Sequence, residues 1–255
     1  MKIYRFKYQN RIRYGVLEEE YLLPVTGSIF RKFSTTGEKI PISEVVLLPP
    51  VVPSKIVAVG VNYKDHAMER GRKIPQEPLI FLKPPSALVG PHDIIIYPRA
   101  SKRVDYEGEL AVVVRRKARH IKDNESVEDY ILGYSCFNDV TARDLQQRDV
   151  QFTRAKSFDT FAALGPCIAT GIDPSHLRLK TFLNGKLKQS ANTRNMIFPV
   201  PFVLRYISAI MTLMPGDVIT TGTPAGVGPM APGDRVDVQI EGVGILSNTV
   251  MRVRE

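Results

Sequence analysis

The chain reads as a β-rich α+β protein on three observations: short period-two or continuous apolar runs recur along its length, helix signatures are few, and strands and helices do not alternate as a doubly wound sheet requires. With 255 residues, 44% hydrophobic and 24% charged, it can bury one large core or two unequal ones, and a disordered chain is excluded.

Lys2 to Tyr8, Tyr14 to Leu17 and Tyr21 to Val25 read as strands separated by polar QNR and EEE turns, a small sheet at the start of the chain. The proline-rich stretch Leu47 to Lys55 ends it, because proline fixes φ, removes a donor and pushes its predecessor to extended backbone. The expected division is a small N-terminal β cap over 1–52 and a larger unit over 53–255. Ile56 to Gly60 is a buried strand, and VNYKDHAMER after it carries a short amphipathic helix stopped by Gly71. Further strands are expected at Leu79 to Leu82, Asp93 to Ile96, Glu107 to Val114, Lys180 to Leu183, Lys186 to Ser190, Val218 to Thr221, Arg235 to Ile240 and Ile245 to Val253. Asn184-Gly185 predicts a type I′ hairpin, whose two turn positions both need positive φ. Loosened capping boxes at Ser126 to Asp129 and Thr141 to Asp144 predict two helix starts, and a third helix is expected over Phe202 to Leu213.

Several function classes drop out. The longest apolar run, Val45 to Val52, is broken by Pro49 and Pro50 and falls far short of the roughly 18 residues a membrane helix needs. The N-terminus lacks the apolar core of a secretory signal, so the expected location is the cytoplasm and no membrane partner is expected. Cys136 and Cys167 sit among apolar neighbours without ligand spacing and read as buried thiols. The net charge is +9, but its densest stretch, Arg115 to His120, has no interleaved aromatics for base stacking, so a solvated turn is expected and nucleic acid is not.

Asp105, Glu107 and Glu109 in VDYEGELAVVV recur at period two, which on one strand puts all three carboxylates on one face. Clustered anions repel, so either water solvates them or a cation neutralises them. Asp139 in CFNDVTARD is a further carboxylate whose ordinary role would be a helix cap. The residues alone leave a solvated edge and a metal site evenly balanced. All-oxygen ligation would favour Mg²⁺, with Mn²⁺ or Ca²⁺ as alternatives. His66 and Glu69, three apart, could share a helix face as a carboxylate-oriented base, or could be an ordinary solvated pair. Lys156 in RAKSFDTF and Lys83 before Pro84-Pro85 are either clamps for a substrate anion or lysines that snorkel to water.

In order, VGVNYKDHAMER, FLKPPSAL, VDYEGELAVVV, NDVTARDLQ, RAKSFDTF, GPCIAT, MIFPVPFVLRYIS and PGDVITTGTPAGVGP resemble the fumarylacetoacetate hydrolase family from about Ile56 to the C-terminus. The resemblance implies mixed β-sheets rolled into a sandwich-like barrel, a homodimer and one divalent ion per subunit. It places the metal ligands on Glu107, Glu109 and Asp139, omitting Asp105, and substrate contacts on Arg143, Gln146, Lys156 and Thr223, to which Lys83 is added. It implies that His66 and Glu69 form an H-x-x-E dyad on a lid, with Lys156 also catalytic. The implied substrate is a small anionic 2-oxo acid that chelates the ion and reacts through an enolate. The expected reaction is isomerisation or decarboxylation of a 2-hydroxyhepta-2,4-diene-1,7-dioate-like diacid. Alternatives are acylpyruvate or fumarylpyruvate hydrolysis, oxaloacetate decarboxylation or tautomerisation, and a binding protein that keeps the fold without catalysis.

Overall fold

A computed structural model describes residues 1–69, 71 and 73–252. The chain opens as an antiparallel meander of β1 (Lys2–Tyr8), β2 (Arg11–Glu18) and β3 (Tyr21–Gly27). Three short strands complete it: β4 (Phe33–Thr35) and β5 (Ile40–Pro41) pair with β3, and β6 (Val46–Leu48) with β1. They are too short to show a period, and the sequence did not predict them.

Beyond the prolines come β7 (Ile56–Gly60), α1 (Lys64–Glu69), β8 (Leu79–Lys83), β9 (Leu88–Val89), β10 (Ile94–Ile96), β11 (Val104–Tyr106) and β12 (Gly108–Val114). The middle of the chain forms β13 (Ile131–Asp139), β14 (Thr141–Ala142), α2 (Arg143–Arg148), α3 (Thr153–Lys156) and β15 (Ala162–Ala169). Next are β16 (Arg178–Leu183), β17 (Lys186–Asn192) and α4 (Val200–Ile210), and the last are β18 (Val218–Thr220), β19 (Gly228–Met230), β20 (Arg235–Ile240) and β21 (Gly244–Met251).

The strands make three sheets. The largest runs β4-β3-β2-β1-β15-β13-β12-β18-β7-β8, with β5, β6 and β9 attached to its sides. Because β1 pairs with β15, the N-terminal strands continue this sheet. A second sheet, β10-β21-β20-β16-β17, packs on one face of it, and a third, β14-β11-β19, stands at the functional end. β12 shows how the layers meet: Leu110, Val112 and Val114 join the core shared with β16, β20 and α4, while Ala111 and Val113 join a second core with Ile3, Phe137 and Ile168. A strand buried on both faces has no polar side to alternate with, hence the unbroken LAVVV. α4 adds Val200, Val203, Leu204 and Ile207 to the first core, the i, i+3, i+4, i+7 stripe of an amphipathic helix.

Two capping-box expectations fail. Ser126 precedes only a 3₁₀ turn at Glu128–Tyr130. The helix after Thr141 starts at Arg143 without a side-chain cap, because Thr141 donates its hydroxyl proton to the Asp139 carbonyl and Asp144 accepts from Ser101 Oγ and Lys102 N. α4 begins and ends earlier than expected, since Leu213 is drawn into a backbone pairing with Ala118. The predicted α1 ends at Glu69, and Gly71 takes the left-handed conformation at φ 60°; the expected extensions to Arg70 and Val253 lie outside the described residues. The hairpin at Asn184-Gly185 has φ 52° and 75°, as predicted. Among the described residues no helix is long and apolar enough to cross a membrane.

Candidate functional site

The site grows from the end of the β12–β13 hairpin. Register places Gly108 opposite Asn138 and Glu109 opposite Phe137. Asp139 therefore stands across from Glu107, whose carbonyl accepts the Asp139 N–H at 2.9 Å. Alternation sends Glu107, Glu109 and Asp139 to the face opposite the second sheet. The three carboxylates are buried, and their ligand oxygens lie within 4.8 Å of one another. Asp105 does not join them, as the chain turns at Glu107 into the third sheet and Asp105 accepts from Arg103 Nε at 2.9 Å and Arg143 Nε at 2.8 Å. The period-two expectation thus places Glu107 and Glu109 together but not Asp105, and the solvated-edge reading is overturned by burial of all three.

Cations compensate them. Lys156, at the end of α3, donates to Asp139 Oδ2 at 2.5 Å and Glu107 Oε2 at 2.8 Å. Lys83, at the end of β8, donates to Asp139 Oδ1 at 2.5 Å. Arg143 opens α2 and spans Asp105, Glu107 and Gln146 Oε1. An unpaired buried charge would cost several kcal/mol, so this pairing is what lets the carboxylates stay inside.

The environments separate the acids. Burial pushes Glu107 up, but Lys156 and Arg143 outweigh it and hold the carboxyl below the usual range. Glu109 makes no ion pair among the described residues; burial, then the charges of Asp139 and Glu107, drive its carboxyl well up. Its Oε2 accepts the Gly222 N–H at 2.9 Å. Burial would lower Lys156, but Asp139 and Glu107 outweigh it and keep the ammonium charged, whereas for Lys83 burial wins and the shift is downward.

These groups open on a cavity of about 220 Å³. Glu107, Glu109, Asp139, Arg143, Gln146, Lys156 and Thr223 line it, and His66 reaches it from α1 with Val61, Phe81 and Phe152 beside it. His66 Nδ1 lies 3.2 Å from Glu69 Oε2, and Glu69 Oε1 accepts the Gly226 N–H at 3.0 Å. Lys83 and Glu69 stand behind the wall: Lys83 is 1% exposed and sits beneath Asp139. Sequence reasoning missed Asn62, which is fully buried and pins the turn before α1 by donating to Phe198 O and Thr221 O and accepting from Phe198 N. The turn itself holds Val61 at φ 51°, rare for a β-branched residue. A polar Asn directly after a buried strand was the available signal.

The donor set suits a hard divalent ion: three carboxylates, close together, in a site whose other lining is apolar and polar residues with the cations Arg143 and Lys156. A family model described as fumarylacetoacetate (FAA) hydrolase C-terminal matches residues 55–251, and one described as Rv2993c-like, N-terminal, matches residues 1–50. The solved 2-hydroxyhepta-2,4-diene-1,7-dioate isomerase from Mycobacterium marinum is 42% identical, with a TM-score of 0.93 and complete coverage of both chains. Oxaloacetate tautomerase Fahd2a, mitochondrial, from Rattus norvegicus is 42% identical over 224 residues, 83% of this chain and 71% of its own. Maleylpyruvate hydrolase from Sphingobium sp. SYK-6, solved with manganese(II) and pyruvate, is 31% identical with a TM-score of 0.83, and each chain is fully covered.

Proposed function

This chain belongs to the fumarylacetoacetate hydrolase family of enzymes, and we propose that it acts on small 2-oxo acids with a divalent cation, Mg²⁺ or Mn²⁺, held by Glu107, Glu109 and Asp139. The reaction proposed is isomerisation or decarboxylation of a 2-hydroxyhepta-2,4-diene-1,7-dioate-like diacid. The observation that carries this reading is charge. The buried site sets four carboxylates, Asp105 included, against the cations Lys83, Arg143 and Lys156. Arg103 also pairs with Asp105, so the cations match the carboxylates even with Glu109 ionised, and a divalent ion held among Glu107, Glu109 and Asp139 would leave net positive charge for an anionic substrate to neutralise.

Such an ion would supply a Lewis acid for the carboxylate and 2-oxo oxygens of the substrate. The chain's own groups do the rest. Lys156 and Arg143 line the cavity and stabilise negative charge developing on the 2-oxo oxygen. With the His66 proton on Nδ1, donated in a hydrogen bond to Glu69, Nε2 is the basic nitrogen and can take a proton from C3, leaving the C–H electron pair as an enolate. Returning that proton to a conjugated carbon isomerises the acid. Where the bond to a carboxylate on C3 breaks instead, CO₂ leaves and a proton takes its place on C3. Gln146 and Thr223 contact the substrate from the wall, and Lys83 acts from behind by holding Asp139. The two family models meet near the proline-rich stretch, which supports a cap over 1–52 and a catalytic unit over 53–255. A homodimer is the proposed assembly, to be checked by sedimentation.

The cavity favours a second reading. About 220 Å³ lies below the roughly 300–1,000 Å³ of sites for drug-sized ligands and suits an acid as small as oxaloacetate, which would make the enzyme a tautomerase like the rat relative's name. Incubating EDTA-stripped protein, with and without Mg²⁺ or Mn²⁺, with oxaloacetate, acetylpyruvate, fumarylpyruvate and a hydroxyheptadienedioate separates these by ultraviolet absorbance. Metal-dependent turnover of the diacid is the expected result. Turnover of oxaloacetate alone would select the second reading, and turnover unaffected by EDTA would overturn both.

A further inference from the structure

We propose that Gln189 is a positioning residue, whose amide reaches across from the second sheet to fix the backbone between Glu107 and Glu109 and the 222–226 loop in one arrangement. This rests on the reading that Glu107, Glu109 and Asp139 hold a divalent cation.

Gln189 lies on β17, is 1% exposed and does not line the cavity. Its Oε1 accepts the Gly108 N–H at 3.0 Å, and its Nε2 donates to Thr223 Oγ1 at 2.8 Å and to Pro224 O at 2.9 Å. The orientation is forced, because Gly108 N–H only donates and the Pro224 carbonyl only accepts. Thr223 closes the ring by giving its hydroxyl proton to Gly108 O at 2.9 Å. Both backbone groups of Gly108 are therefore held, one by Gln189 and the other by Thr223. The residue so held separates two ligands, and its displacement would move both.

Close approach is built into this contact. A Cβ on Gly108 would overlap Thr181 Oγ1 and lie 3.2 Å from Gln189 Oε1. A Cβ on Gly226, at φ 94°, would overlap Lys188 O and lie 3.4 Å from Gln189 Cγ. The loop thus rests on β17 at Lys188 and Gln189. At one end its Gly222 N–H holds Glu109, and at the other its Gly226 N–H holds Glu69 while the Gly226 carbonyl accepts from Tyr106 Oη. Through one amide, the second sheet sets both the carboxylate spacing and the seat of the dyad. The hydroxyl proton of Thr223 is spent within this ring, so Thr223 supports the site as much as it lines it.

The test is Gln189→Met, which keeps length and apolar bulk but removes the amide, with Thr223→Val as a volume-conserving second variant that breaks the ring from the other side. Mn²⁺ binding is read by the electron paramagnetic resonance of the free ion, well below each variant's melting temperature. The dissociation constant should rise roughly tenfold to a hundredfold in Gln189→Met and less in Thr223→Val. A residue that only stabilises the fold would lower the melting temperature and leave the constant unchanged, and that result in Gln189→Met overturns the proposal. Should Gln189→Met not fold, wild-type affinity in Thr223→Val overturns it. A wild-type protein that binds no Mn²⁺ would overturn the metal reading itself, which distinguishes the two failures.

Discussion

The carboxylates and the histidine dyad share one cavity but are supported in opposite ways. Glu107, Glu109 and Asp139 sit at the ends of β12 and β13, adjacent interior strands of the large sheet, and every residue of β12 is buried. His66 and Glu69 ride on a helix of six residues that follows β7, the last strand but one of the sheet, and Met68 on that helix is 71% exposed. So short a helix is not stable alone, and its place comes from ties: Asn62 in the turn before it and the Gly226 N–H on Glu69. Mutually repelling charges need a frame that cannot relax, since any spreading would remove the site. A proton-transfer pair has no such demand and gains from a position near solvent.

If the two halves are separable, damage to one should leave the other intact. The largest effect is expected from Glu109→Gln. Burial and the charges of Asp139 and Glu107 drive the Glu109 carboxyl up, so an isosteric neutral amide should cost the fold little and leave the melting temperature in EDTA nearly unchanged. Mn²⁺ affinity should nevertheless fall at least roughly a hundredfold, and turnover with it. Calorimetry and isothermal titration check both; wild-type affinity would mean that Glu109 is not a ligand.

His66→Ala comes next. It should lower isomerisation and tautomerisation, whose C3 proton His66 takes, by roughly a hundredfold to ten-thousandfold, and Mn²⁺ affinity should stay at the wild-type value. A joint loss of Mn²⁺ affinity would break the comparison, showing that α1 and the carboxylate frame move as one unit. The smallest effect belongs to Val61→Gly. Relief of a β-branched residue at φ 51° should offset the entropy that glycine loses, for a net gain of about 0.5 kcal/mol in urea unfolding. A clear loss would instead give the Val61 side chain a packing role at the cavity.

The same contrast governs what could be read from the sequence. β1, β7 and β20 were legible to the residue, because each is a short apolar or alternating run bounded by turn signals or proline. β15 was not: Gly165-Pro166 in its middle reads as a turn, and proline argues against a central strand. The structure accommodates it through a register shift on β13 between Tyr134 and Cys136, with Cys136 opposite Gly165, an irregularity no local pattern reports. At the site, the period of two on the carboxylate strand was visible, but not the turn at Glu107 that removes Asp105 into the third sheet. Residue types nominated Lys83 as a substrate contact; only the packing shows it beneath Asp139. Gln189 left no trace, since a polar residue on a strand beside a hairpin looks solvated until the other sheet closes over it.

The parallel pairing of β7 with β18 sets a timetable. Ile56 finds its partner Val218 only 162 residues later. At roughly 5–20 residues per second on the ribosome, that edge of β7 waits on the order of ten to thirty seconds for its partner, while β8 can pair with the other edge far sooner. Asp217, the residue before β18, then receives Ser54 N and Oγ, Lys55 N and Nζ, and Met214 N on one buried carboxylate, fastening the early strand to the late one. Carboxylates and dyad alike wait for the loop after β18, whose Gly222 N–H holds Glu109 and whose Gly226 N–H holds Glu69, so the cavity is among the last parts of the molecule to exist.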